Sequence, residues 1–378
     1  MNIKYVYLLI IIFFTEANAT VISINPNTKE EVTKALTILT DDKINTIGIS
    51  VIKAGQIEWV AHFGDQSPGI IANSKTLFDV GSLTKTVTTQ TILRLVNENK
   101  IKLDESMTHY WLDPDLQETA IHTELTPRMA LTHSTGFPNW RFFTDDGKLG
   151  FINPPGSKYG YSSEGFQYLA RFAEKKIKTP FDQLVQKYVF EPSGISNASL
   201  RIDKKYYPFI AQALDKEGKF YGHYCRPGWC SEEGSLSAAG GMVISVEEFS
   251  QFLIWAMNGA ELGDQLNQQI NGITVDQEII KGFDCSKHPE ALCPNRQGYG
   301  LGWNVTEYPG GRVIGHGGSD WSLVTLTYYY PEQKDGLVIF INAPNDIALS
   351  AMIEVLKILD PESPKLHEYQ FRLDRENN

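Results

Sequence analysis

Strand-forming segments lie at both ends of this chain and helical ones between them, and that arrangement constrains the fold more than any other feature. Ile47–Ile52 and Ile57–Phe63 read as a hairpin across Ala54-Gly55-Gln56. Strand character returns only at Gly311–Ile314, Leu323–Tyr330 and Gly336–Asn342, the last two separated by Pro331-Glu332-Gln333-Lys334-Asp335. From Leu103 to about Trp303 the pattern is helical with long loops. The simplest assembly is one antiparallel sheet built from both ends, with a helical region inserted into the connection between them. This is an α/β (α+β) class. Residues 20–104 and 304–360 then form a sheet-containing unit, 105–303 a mostly helical region and 361–378 a polar tail. With 378 residues, 42% of them apolar, the chain can fill one large core or two smaller ones.

Local signals place the helices. Glu30–Leu39 reads as a short helix. Thr126-Pro127 and Thr179-Pro180 each put a capping threonine before a proline at the first helical position. Ser245-Val246-Glu247-Glu248 is a capping box ahead of Phe249, Phe252 and Leu253. Met352, Val355, Leu356 and Leu359 mark a last amphipathic helix.

The net charge of −11, with no run of Lys or Arg, is not the footprint of a nucleic-acid binder and disfavours a polybasic membrane attachment. Lys4, the apolar run Tyr5–Phe14 and then Ala17-Asn18-Ala19 read as an export signal over residues 1–19, removed on maturation and leaving no membrane anchor. In an oxidising compartment Cys225, Cys230, Cys285 and Cys293 are disulfide candidates. Pairing within each close pair is simplest, with Pro227-Gly228 turning Cys225 back to Cys230, and the two crossed connectivities stay open. Zinc held by the cysteines with His223 and His288 is the competing use, although the spacings fit no compact zinc module well.

The chemistry centres on Gly81-Ser82-Leu83-Thr84-Lys85. Apolar residues at 83, 87, 92, 95 and 96 follow, so Ser82 is expected to open a helix that buries one face. An oxyanion beside Ser82 would meet unpaired N–H groups and the positive end of the dipole. Lys85, three residues on, shares its face and can reach the hydroxyl. A lysine becomes a base when desolvation or nearby positive charge lowers its pKa. Five threonines between positions 84 and 91 are poor helix formers, so burial must hold this helix. A second copy of the pattern, Ser50-Val51-Ile52-Lys53, lies in a strand, where the two side chains point to opposite faces.

Two further strings complete a set. Tyr161-Ser162-Ser163 is expected in a loop just before a helix with Phe166, Leu169, Ala170 and Ala173 on one face. His316-Gly317-Gly318-Ser319 is expected at the end of a sheet strand. In this order the strings resemble the serine β-lactamase and penicillin-binding superfamily, nearest to the class C β-lactamase, DD-peptidase and esterase branch. The resemblance runs from about Gly48 to Asn342 and includes Leu131-Thr132-His133-Ser134-Thr135-Gly136, Ala239-Gly240-Gly241 and Tyr299-Gly300-Leu301-Gly302-Trp303.

The resemblance implies a β-lactamase/DD-peptidase-like fold and an acyl-enzyme on Ser82, with Lys85 and Tyr161 as the base system and no metal or organic cofactor. Ser163 takes the third place of a Tyr-x-Asn or Tyr-x-Ser motif, and Ser319 N–H joins that of Ser82 in an oxyanion hole. Lys85 is expected to supply the positive charge that brings the Tyr161 phenol, ordinarily near ~10, into use. His316-Gly317-Gly318 stands where true β-lactamases have Lys-Thr-Gly. A histidine of ordinary pKa ~6.5 is mostly neutral at pH 7, so the substrate carboxylate loses a cationic partner on that strand. These departures point to a small ester or a D-amino-acid peptide as substrate. A genuine β-lactamase, a catalytically silent penicillin-binding protein and a zinc hydrolase are the rivals. The oligomeric state is open at this stage.

Overall fold

The computed structural model describes residues 30–35, 37, 44–277 and 293–376. The expected export signal, Cys285 and His288 lie outside the described residues. A nine-stranded antiparallel sheet forms from β1 (Thr46–Lys53), β2 (Gln56–Ser67), β3 (Ile70–Ile71), β4 (Val275–Gln277), β5 (Arg296–Tyr299), β6 (Asn304–Tyr308), β7 (Gly311–Asp320), β8 (Leu323–Tyr330) and β9 (Asp335–Asn342). Its order is β3-β2-β1-β9-β8-β7-β6-β5-β4, so the first and last strands of the chain pair inside the sheet. Ile47 faces Ile341 and Ser50 faces Val338 across that seam.

Every residue of β8 and β9 is buried, because both faces of the sheet are covered. Leu337, Ile339 and Ile341 pack on one side with Met352, Val355 and Leu356, whereas Val338 and Phe340 pack on the other with Phe249, Phe252 and Leu253. Period-two alternation along one strand thus feeds two cores. Five helices matter for the site: α1 (Thr84–Asn97), α2 (Ser163–Ile177), α3 (Val246–Met257), α4 (Asn345–Leu359) and α5 (Pro364–Glu376).

Helix α1 is buried over its first ten residues. Four of its five threonines find acceptors, Thr89 being the exception: Thr88 Oγ1 donates to Ala238 O at 2.7 Å and Thr91 Oγ1 to Val87 O at 3.0 Å. Burial and these bonds hold a segment whose propensity is poor. Ser50 is buried while Lys53 pairs with Asp335 at 2.8 Å, so the second Ser-x-x-Lys copy is split as expected.

Four expectations need correction. Strands β4 and β5 fall inside the region read as mostly helical. They are three and four residues long and lie at the sheet edge, where period-two patterning is too short to register. Thr126 does cap its helix, but Thr179 caps nothing; its hydroxyl donates to Ile177 O, and the next helix begins at Phe181. Strand β7 extends beyond the Gly311–Ile314 span read for it to Asp320, with His316–Ser319 at its end as expected. The tail contains α5, which docks back on the molecule. It is anchored by the turn before it, where Tyr328 and Tyr330 donate to Asp360 at 2.8 and 2.7 Å.

Candidate active site

Ser82 sits in a 3-10 turn, Gly81–Leu83, directly before α1, one step earlier than the helix start expected for it. Gly81 has φ +52°, a conformation that favours glycine, and its N–H donates to the Asp79 carboxylate at 2.8 Å. Burial raises the Asp79 pKa to about 6, opposed by that bond.

Lys85 is fully buried, and burial holds its pKa well below the ordinary lysine value. Its Nζ lies 2.7 Å from Ala239 O, 3.0 Å from Ser163 Oγ and 3.1 Å from Ser82 Oγ. A neutral amine has two N–H bonds and one lone pair. The carbonyl can only accept, and Ser163 Oγ can accept the second N–H, which leaves the lone pair facing the Ser82 hydroxyl. The segment that supplies Ala239 O is strapped to the turn before α1. Val80 N donates to Met242 O at 3.0 Å, and Met242 N donates to Thr84 Oγ1 at 3.1 Å.

Ser163 is the first residue of α2 and not part of the preceding loop. Ser162 caps that helix through Gly165 N at 3.0 Å, while Ser163 N donates to Asn139 O at 3.0 Å. This fixes Ser163 Oγ beside Lys85 and Tyr161 beside Ser82, with which it hydrogen-bonds. Burial raises the Tyr161 pKa above its ordinary value; the Ser82 contact and the Arg372 guanidinium pull it back. Arg372 of α5 thus adds positive charge near Tyr161 that the sequence reading did not place there, while Lys85 Nζ lies 4.9 Å from the Tyr161 ring centroid.

Strand β7 closes the other side. A Cβ at Gly318 would stand 2.4 Å from Val80 O, 2.3 Å from Thr325 Oγ1 and 3.1 Å from Ser82 N. Only glycine lets the strand approach the Ser82 turn so closely. Ser319 N lies 3.3 Å from where a Cβ on Gly81 would be, and Ser82 and Ser319 both line the same cleft. His316 Nδ1 donates to Gly317 O at 2.7 Å, leaving Nε2 to face the Tyr299 hydroxyl at 3.5 Å. Burial pushes the His316 pKa down to about 3, so the ring is neutral.

Several contributors escaped the sequence reading. His133, with φ +53°, lies 4.2 Å from the Tyr161 ring and accepts from Ser162 N through Nδ1 at 3.1 Å, orienting the Tyr161–Ser163 segment. Its string was visible only as part of the resemblance. Arg226, carried on the hairpin closed by the Cys225–Cys230 disulfide, pairs with Asp320 at 2.6 Å. That disulfide removes two thiolates from any zinc site, and among the described residues no group of three or more His, Cys, Asp or Glu could hold a metal ion. Cys293 is disulfide-bonded as well.

Ser82, Tyr161, Ser163, His316 and Gly318 line a cleft of about 820 Å³, joined by Asn139, Trp140 and Trp321. Its rim carries stacked aromatic rings: Trp140 and Phe142 are 5.4 Å apart, and Phe142 and Trp229 are 6.1 Å apart. Among the described residues no helix is long and apolar enough to cross a membrane.

The chain is similar to known proteins at both levels. A β-lactamase of Providencia stuartii is 24% identical over 193 residues, 48% of this chain and 49% of that protein, so the match spans about half of that relative's length. In structure, a class C β-lactamase mutant superposes with a TM-score of 0.69 at 17% identity, covering 89% of this chain and 96% of that one. The octameric penicillin-binding protein homologue from Pyrococcus abyssi superposes with a TM-score of 0.67 at 21% identity, covering 89% of this chain and 78% of that one. The Beta-lactamase family model matches residues 32–352, and with most of its length accounted for in this way the chain belongs to the Beta-lactamase family.

Proposed function

We propose that the protein forms an acyl-enzyme on Ser82 and hydrolyses a small ester or a D-amino-acid peptide. The observation that carries this reading is the buried Lys85 amine, its pKa lowered by burial, 3.1 Å from Ser82 Oγ. Lys85 takes the Ser82 proton as Oγ attacks the substrate carbonyl. The N–H groups of Ser82 and Ser319 hold the oxyanion. Tyr161, kept protonated by burial, gives its proton to the leaving oxygen or nitrogen and recovers one from Lys85. Water then attacks the acyl group and the same relay runs in reverse, returning Ser82 to its hydroxyl form.

Substrate class is inferred from the cleft walls. The neutral His316 disfavours efficient β-lactam hydrolysis, and the aromatic rim suits an apolar acyl or leaving group. Export is part of the proposal, supported by the Cys225–Cys230 disulfide.

The test is intact mass of the protein after incubation with a penicillin and, separately, with an activated short-chain ester, with Ser82→Ala as control. Ser82-dependent ester turnover with a slow or persistent penicillin adduct is expected. Rapid Ser82-dependent loss of penicillin would make the protein a β-lactamase instead, and a Ser82 silent toward both reagents would leave a binding protein.

A further inference from the structure

Exposed apolar rings gather at the mouth of the cleft. Among the described residues eight large apolar side chains are exposed, and three of them, Phe142, Phe143 and Trp229, belong to the cleft wall. A half-exposed ring gains little from folding, so a group of them beside a cleft marks a surface that takes something apolar.

Two independent supports bring these rings together. Phe142 lies in the turn Arg141–Phe143, which is tied to α2: Arg141 N donates to Glu164 Oε1 at 2.9 Å and the guanidinium to Glu164 Oε2 at 2.9 Å. Trp229 arrives on a separate hairpin, in which Cys225 faces Cys230 and Arg226 faces Trp229. Its two-residue strands are too short to hold by themselves. The Cys225–Cys230 disulfide closes one face of the hairpin. Neighbouring pairs point to opposite faces, and on the other one the Arg226 guanidinium lies over the Trp229 ring, 4.9 Å from the centroid, while donating to Asp320 Oδ1 at 2.7 Å. Trp229 thereby meets Phe142 with 6.1 Å between centroids and 28° between planes, and Phe142 stacks on Trp140 at 5.4 Å and 19°. The line of contacts runs from Asn139, whose carbonyl accepts from Ser163 N, to Asp320, which follows Ser319. It links the Ser163 side of the cleft to the Ser319 side, and the rings form its apolar middle.

We propose that the disulfide-closed hairpin is a specificity element: it sets Trp229 against Phe142 as a subsite for an extended apolar group joined to the carbonyl at Ser82, either a linear acyl chain or an aryl leaving group. Trp229 and Phe142 contact that group, and Arg226 and the disulfide position Trp229. The proposal rests on the hydrolase reading above and narrows its substrates to those that carry such a group.

Three esters test it: phenyl acetate, phenyl hexanoate with a longer acyl chain, and biphenyl-4-yl acetate with a longer leaving group. The readout is kcat/KM of each longer ester relative to phenyl acetate, with Ser82→Ala as blank and a urea melt to show that each variant is folded. Trp229→Ala and Phe142→Ala are each expected to lower that ratio about 5- to 30-fold for at least one longer ester, the range of one ring's lost apolar contact. The ester affected identifies the acyl or the leaving side. Trp229→Phe, which keeps a ring, is expected to lose less. The double variant Cys225→Ser/Cys230→Ser keeps Trp229 but releases its hairpin, and its ratio for the same ester should fall between those of wild type and Trp229→Ala; a wild-type ratio there would overturn the positioning role of the disulfide. Wild-type ratios in both alanine variants, including a proportional loss on all three esters, would overturn the subsite and leave the hydrolase reading standing. Ratios that rise in Trp229→Ala would overturn it as well, making the bridge a barrier to bulk. Wild type without Ser82-dependent turnover of any of the three would remove both readings.

Discussion

Replacing Gly318 by alanine tests the oxyanion geometry at one atom. The added methyl would sit 2.4 Å from Val80 O and 2.3 Å from Thr325 Oγ1, two atoms already joined by a 2.9 Å hydrogen bond. An ordinary contact begins near 3.4 Å, so β7 and the Ser82 turn must separate by about 1 Å. Val80 O cannot yield alone, because Val80 N is fastened to Met242 O on the strap beside α1. Ser319 N then moves away from the Ser82 turn, and the loss of one such donor lowers acylation about 10²- to 10³-fold. The strain adds about 1–3 kcal/mol of destabilisation. The assay is the pseudo-first-order rate of Ser82 acylation by an activated ester, read by intact mass, with a urea melt alongside to show that the variant is folded. Ser319→Ala keeps the backbone donor and is expected to change the rate only a few-fold. A folded Gly318→Ala protein acylating at the wild-type rate would refute the argument, as would equal losses in the two variants.

Removing the Lys85 amine with Lys85→Met keeps the volume but deletes the base, so acylation should fall about 10²- to 10⁴-fold and the acid limb of the kcat/KM–pH profile should vanish. That limb exists because only the neutral amine accepts the Ser82 proton: activity drops as pH falls through the lowered Lys85 pKa. Folding stability has its own pH dependence through His316. Between the ordinary value of 6.5 and about 3 the unfolded chain holds a proton that the native ring does not, so stability is full above 6.5 and declines as pH falls through that window. Urea midpoints at pH 7 and pH 5 should show this, with a slope of at most about 1.4 kcal/mol per pH unit from this group, and His316→Gln should flatten it. Arg141 bridges Asp113 at 2.8 Å, Asp115 at 3.0 Å and Glu164 at 2.9 Å, and the Asp113 and Glu164 carboxylates are nearly buried. Arg141→Ala strands those two charges and should cost about 2–4 kcal/mol in the same urea assay, allowing for the partial exposure of the arginine.

The amino-acid sequence alone determined the elements whose signals are local. The β1–β2 hairpin, the largely apolar β8 and β9, the helix caps at Thr126 and Ser245, and the Ser82–Lys85 spacing all lie within a few residues of the groups they involve. The Ser50–Lys53 copy could be set aside for the same reason, since strand geometry alone separates its ends. What only the tertiary structure decided depends on contacts between distant segments. Burial lowers the Lys85 pKa, and the acceptors that hold its amine, the carbonyl of Ala239 and the hydroxyl of Ser163, come from 154 and 78 residues away. Helix α5 carries Glu368 and Arg372 among mostly polar neighbours, so periodicity marked it as a tail; its cleft-facing role appears only where Gly317 admits Tyr369. Desolvation and charge are properties of an enclosed volume, and no run of neighbouring residues specifies what encloses them.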